Sequence, residues 1–266
     1  MSVSANVGRL VELSAPLWAG EAEVVRTYWD SSVRTGDTDL LWLRRQCSKE
    51  FNGTGIGEYK NLGIFVGPLT ELREIFHEID AGIDRRYAAE LIEVLKDEFS
   101  HYMAFADVYD AIREADVPPL DPHTLESWDE DVELTALRHR HNAEHGALGV
   151  RSSRFTEGGD CTLFREGMRL KGRGGAEDLI AAACAKVYDD EFGHMLEGIA
   201  GLDEEGWSDN EFQLMGKLVI AQLRLRIHMR NAEFSYPLTE KRIQAIFDGE
   251  IDPETFDFQR AEEALA

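Results

Sequence analysis

The sequence predicts an all-α protein built around four long central helices, and three observations lead there. Apolar residues recur at steps of three and four through almost every long segment, and no run alternates as a strand does. Clusters of glycine and proline fall mostly at the joints between those segments. The pattern Asp-Glu-Phe-small-His occurs twice, in KDEFSHYMAF at 96–105 and in YDDEFGHMLE at 188–197, both times inside a helical stretch.

Each element follows from the same signals. Residues 8–35 read as an accessory amphipathic helix ending near Thr35-Gly36-Asp37. A second pattern runs from about Leu40 to Ile79 through Leu43, Cys47, Phe51, Glu58, Leu62, Phe65, Leu69, Leu72 and Phe76, and Gly67-Pro68 should kink or restart it. Ala81-Gly82 supplies a turn, and a third helix continues to about Ala115, where Val117-Pro118-Pro119 stops it. Residues 116–125 have the length of a crossover loop. A fourth helix is expected from about Ser127 to Leu170, ended by Gly172-Arg173-Gly174-Gly175. A fifth covers 176–200, a sixth about 209–234, and Pro237 opens a short terminal piece. The expectation is one domain over 1–266, with a core bundle at about 40–200 and accessory helices at 8–35 and 209–248.

Composition narrows the function. A net charge of −23 and a pI near 4.7 repel phosphate backbones and anionic headgroups, which argues against nucleic acid and membrane surfaces as partners. Apolar residues make up 43% of the chain, mean hydropathy is −0.34, and no apolar run approaches the roughly 20 residues that span a bilayer. The N-terminal stretch lacks the pattern of an export signal. Cys47, Cys161 and Cys184 are odd in number, far apart and without a CxxC pair, which fits a reducing compartment. A soluble cytoplasmic protein is expected.

The repeated motif is chemical because of where its polar residues fall. In the third helix the apolar stripe Tyr87, Leu91, Val94 continues into Glu98 and His101 before Phe105, Val108 and Ile112. In the fifth, Ile180, Cys184 and Val187 lead into Glu191 and His194, with Gly198 and Ile199 beyond. A buried carboxylate needs a proton, a cation or a metal. A Glu and a His three residues apart project from one helix face, the geometry by which bundles hold a pair of metal ions.

Such a site also needs a Glu from each partner helix. The inward stripe of the fourth helix is Ala147, Val150, Glu157, Cys161, Phe164 and Met168. Glu157 and Glu191 are equidistant from Gly174, so an antiparallel hairpin turning there sets Glu157 opposite Glu191 and His194. In the other half, GIGEYKNLGIFVG at 55–67 aligns with FTEGGDCTLFREG at 155–167 and selects Glu58, with Glu71 as the competitor. Glycines at 53, 55, 57, 158 and 159 suggest space left open beside the metals.

Glu58, Glu98-x-x-His101, Glu157 and Glu191-x-x-His194 resemble the ferritin-like di-iron carboxylate superfamily over about residues 40–200. The resemblance implies a ferritin-like four-helix bundle holding two iron ions, with O2 as co-substrate and an external electron donor. It also implies that Asp97 and Asp190 each bind the imidazole of the opposite helix, fixing its tautomer. The chain departs from several members. Phe105 stands where ribonucleotide reductase small subunits carry a radical tyrosine. Val187 stands where arylamine N-oxygenases and the haem-oxygenase-like oxidases carry a histidine. The CxxC module of rubrerythrins is absent, and ferritins are much shorter.

The function expected from this is an O2-activating di-iron oxidase or monooxygenase acting on a small organic molecule. The alternatives are a ferroxidase, a peroxidase or a manganese-catalase-like protein, and a non-enzymatic helical interaction protein. Manganese or a mixed Mn/Fe pair would suit the same donors, and the sequence leaves room for a homodimer. Beyond the motif, His141 and His145 read as a solvated helix face. Arg224, Arg226, His228 and Arg230 read as salt-bridging residues or as a seat for a carboxylate or phosphate, and Cys161 as packing or cavity lining.

Overall fold

A computed structural model of the chain describes residues 5–52 and 66–264, and every regular element among them is a helix. In chain order these are α1 (Ala5–Trp29), α2 (Gly36–Asn52), α3 (Val66–Ile75), α4 (Arg85–Ile112), α5 (Asp129–His145), α6 (Ala147–Phe155), α7 (Gly158–Met168), α8 (Gly175–Glu197), α9 (Asp209–Glu233), α10 (Glu240–Phe247) and α11 (Phe258–Ala264). Among the described residues no helix is long and apolar enough to cross a membrane.

The helix ends follow from side-chain chemistry. Asp84 opens α4 by accepting from the Arg86 backbone N–H at 2.9 Å, and the Glu211 carboxylate closes the start of α9 by accepting from the Ser208 N–H at 2.7 Å. Pro68 sits in the first turn of α3, where its missing N–H would have no helical partner in any case, so Gly67-Pro68 restarts the helix. Gly172, Gly174 and Gly175 all have positive φ, which makes the α7–α8 turn.

Two expectations about helices are corrected. α1 stops at Trp29, well before Thr35, because the Tyr28 hydroxyl donates to Asp39 at 2.7 Å and the Arg34 guanidinium clamps the same carboxylate, tying a tight corner into α2. The fourth helix is three helices. Gly146 has φ +54°, and its N–H closes α5 on Asn142 O, after which α6 folds back against α5. The return is so close that a Cβ on Gly149 would strike the His141 backbone. The second break, at Thr156–Glu157, separates α6 from α7. A stripe drawn through both breaks cannot hold, and Val150 is exposed while Leu148, Ser152 and Phe155 are buried. The stripe of α4 is also shorter than expected: Tyr87 and Val94 are exposed, and burial begins in earnest at Glu98.

α2 lies against α4, α4 against α8 and α8 against α7, while α1 packs on both α7 and α9. The core these helices enclose is rich in aromatic rings, with Trp42 edge-on to Trp29 at 5.3 Å and Phe105 stacked on Phe164 at 5.9 Å. α1 and α9, expected as accessory elements, are among the most buried: Val24, Val25, Tyr28, Val219, Leu223 and Ile227 have no exposed surface.

Candidate metal centre

Two clusters of potential metal ligands form among the described residues. Glu50, Glu98 and His101 make one, and Glu157, Glu191 and His194 the other, with one ligand atom from each residue lying within 4.8 Å of the others in its cluster. α2 supplies Glu50, α4 supplies Glu98 and His101, the α6–α7 junction supplies Glu157, and α8 supplies Glu191 and His194. Five of these six line one cavity of about 180 Å³, and His101 stands behind it.

Glu50 is the residue that sequence reasoning missed. It lies three residues after Cys47 and seven after Leu43, on the face those two bury, and it is 6% exposed. Its carboxylate is 3.6 Å from His101 Nδ1. Glu58 lies outside the described residues. Glu71 is turned outward, where it accepts from the Tyr87 hydroxyl, so it takes no part in the cluster.

His101 is fully buried and its two nitrogens are in different positions. Nε2 lies 2.9 Å from the Asp190 carboxylate, which is carried by α8. Nδ1 has no hydrogen-bond partner and points toward Glu50 and Glu98, at 3.6 and 3.8 Å. Asp190 therefore accepts the Nε2 proton and fixes the ring with Nδ1 facing the carboxylates, so the Nδ1 proton is the one that a metal would displace. Asp97 makes no matching contact with His194 among the described residues; it lies 3.8 Å from Lys96 Nζ. The two half-sites are thus unequal.

The electrostatics of the cluster suit divalent cations. Burial, then the neighbouring Glu50 carboxylate, push Glu98 up to about 8. Burial also raises Glu191 well above the usual carboxylate range, helped by Asp160, Glu50, Glu157 and Glu98. Burial works against the His101 imidazolium, but Glu50 and Asp190 outweigh it and raise the group to about 10. Among the described residues, four acids converge here with only His101 and Arg154 as near cations, and His101 Nδ1 and Glu157 Oε2 lack hydrogen-bond partners. Carboxylate and imidazole donors of this kind suit iron or manganese.

This has a consequence for the metal-free chain. Unfolded, Glu98 would ionise near 4.5; folded, it keeps its proton to about 8, and His101 keeps its own to about 10 instead of 6.5. The folded state therefore binds more protons across this range, so stability should fall as pH rises from 5.5 to 8.5. Melting in the presence of a chelator is expected to drop by several degrees, at about 2–4 °C per kcal/mol in a chain of this size. Added divalent metal should reverse the trend, because binding releases those protons. A chelated protein that gains stability over this window would show that the acids are already compensated.

Beside the cluster lies a buried ion network. Glu21 of α1 meets Arg226 at 3.0 Å and Arg230 at 3.3 Å; Asp160 of α7 meets Arg230 at 2.7 Å, Arg226 at 3.0 Å and Lys49 at 3.1 Å; Glu233 pairs with Arg230 and with Gln46. Three acids thus balance three bases. This accounts for Arg226 and Arg230 of the basic patch, while Arg224 lies over the Phe247 ring and His228 is half-buried near Glu240. The glycines at 158 and 159 do not leave open space. A Cβ on Gly158 would meet Trp18 at 2.7 Å, and one on Gly159 would meet the Glu21 carboxylate and Arg226 Nε. These glycines let α1 and α9 approach the start of α7. Those at 53, 55 and 57 lie outside the described residues.

His141 is buried, not solvated, because α5 packs on α6 and α9; its Nδ1 lies 3.0 Å from the Gln222 amide. Cys161 is buried in the core and is not among the residues lining the cavity. Comparisons with protein-family models, with curated proteins and with solved structures find no match to this chain.

Proposed function

We propose that this chain is an O2-activating di-iron oxidase or monooxygenase of the ferritin-like type, with α2, α4, α7 and α8 as its four-helix bundle and a small organic molecule as substrate. The observation that carries this reading is the pairing of two Glu-Glu-His clusters around one cavity. Glu50, Glu98 and His101 would hold one ion, and Glu157, Glu191 and His194 the other. Two iron ions, when bound, supply the electron transfer and Lewis acidity that dioxygen chemistry needs and side chains lack.

The chain's own residues do the rest. Asp190 keeps the proton on His101 Nε2 and fixes the ring. Phe105 and Phe164 close one side of the cluster to water. A cation bound by Glu98 and Glu191 would displace the protons that burial favours on them, releasing those protons to solvent. An external donor would supply the electrons.

Metal analysis of the purified protein, followed by an absorption spectrum after iron(II) and air, tests the proposal. About two ions per chain are expected, with a near-ultraviolet charge-transfer band appearing on exposure to air. Zinc, or a single ion per chain, would overturn the di-iron assignment. A pair of manganese ions with rapid peroxide disproportionation would keep the site and replace the reaction.

A further inference from the structure

We propose that Arg138 is the seat for the carboxylate of a small acid substrate in this cavity, an inference that rests on the di-metal function proposed above. Four cationic side chains line the cavity: Lys49, Arg138, Arg154 and Arg226. Three of them already have carboxylate partners. Lys49 pairs with Asp160 at 3.1 Å, Arg226 with Glu21 at 3.0 Å, and Arg154 with Glu157 and Glu197 at 3.6 Å each. Among the described residues Arg138 has no carboxylate within 4.0 Å. It donates to Thr156 Oγ1 at 3.0 Å and to Ser153 O at 3.5 Å, and its Nε, closed off from solvent, has no acceptor. Burial and then the nearby Arg226 make its charge harder to hold, so an incoming anion is worth more here than at a paired arginine. Asp131, seven residues earlier on α5, lines the same cavity without forming an ion pair with it.

Position and charge agree with this. An outer cleft of about 360 Å³, bordered by the exposed His139 and Val150, shares Thr135, Arg138, Arg154 and Glu157 with the inner cavity. A molecule moving from the cleft toward the ligands passes Arg138. Lys49, Arg226 and Asp160 of the lining belong to the neutral network, and the remaining five carboxylates and two arginines carry three negative charges. Two divalent ions would add four positive charges and leave an excess of one, which suits an anion and repels a cation. Leu134, Phe164 and Met229 provide an apolar wall for a carbon chain. An apolar cavity of about 150 Å³ holds benzene, so the 180 Å³ here has room for about seven heavy atoms less what the two ions take, and the rest of a chain would lie in the outer cleft.

Calorimetric titration of manganese(II)-loaded protein with hexanoate and with neutral hexanamide tests the inference, with metal content measured on the same samples. Hexanoate should bind at least about tenfold more tightly than hexanamide, and Arg138→Gln should lose at least about tenfold for hexanoate alone. Arg138→Lys, which keeps the charge without the planar fork, should fall between. Unchanged hexanoate affinity in a fully metallated Arg138→Gln overturns the inference and leaves the metal centre standing. Equal binding of the acid and the amide by the wild type does the same, and decides the matter if the variants do not fold. Failure of the wild type to take up metal overturns the di-metal function and this inference together.

Discussion

Glu191→Ala and Glu50→Ala are each expected to remove at least about half of the bound metal while leaving the helical content intact. Glu191 lies in one cluster and Glu50 in the other, so each loss should fall first on its own half-site. Metal content and the iron(II)-and-air spectrum measure this, and losing one of two ions would read as about half the wild-type content. Glu71→Ala is the control. Its carboxylate accepts from the exposed Tyr87 hydroxyl, so the change should stay within about ±0.5 kcal/mol in stability and leave metal untouched. Full metal in Glu50→Ala, together with loss in Glu58→Ala, would return the first half-site to Glu58.

The largest effect on stability is expected from Asp160→Ala. Its carboxylate meets Arg226, Arg230 and Lys49, and both arginines are sealed from solvent. Removing it leaves buried cations without their shared partner, which typically costs about 3–5 kcal/mol. At about 2–4 °C per kcal/mol, melting should fall on the order of 10 °C. Gly159→Ala should be comparably harmful, because a Cβ there runs into the Glu21 carboxylate and lies 2.6 Å from Arg226 Nε. The exposed pair Arg173–Asp30 gives the contrast: Arg173→Ala should change stability by about 1 kcal/mol at most. A denaturant curve for Asp160→Ala within 1 kcal/mol of wild type would show that the network is replaceable.

The all-α class was legible because 3.6-residue periodicity survives in a single sequence, and because Pro118-Pro119 and the glycines at 172–175 punctuate it. Glu98, His101, Glu191 and His194 stood out as polar residues on an apolar face, and burial puts Glu98, His101 and Glu191 inside. Glu50 was hidden by a choice of step. From Cys47 the stripe can go on to Glu50 or to Phe51, and the apolar residue attracts the pattern. The breaks at Gly146 and Thr156 were hidden for a related reason: a stripe with one residue inserted still looks periodic over two turns. The ion network was least legible, since Glu21, Lys49, Asp160 and Arg226 are widely separated and each alone reads as a solvated charge.

That network also bears on the order in which the molecule assembles. Its charges come from α1, α2, α7 and α9, and α1 with α9 already makes a neutral set of Glu21, Glu233, Arg226 and Arg230, as Lys49 of α2 does with Asp160 of α7. Two neutral pairs of helices can therefore form first and then dock, where Asp160 meets Arg226 and Arg230 and joins them into one unit. Lys49 and Asp160 belong to that unit, and beside them in the chain stand Glu50 and, one turn back, Glu157. Two of the candidate ligands are therefore placed by the folding of the protein itself. The ions would enter a finished socket, unlike those of a zinc finger, whose fold waits for its metal.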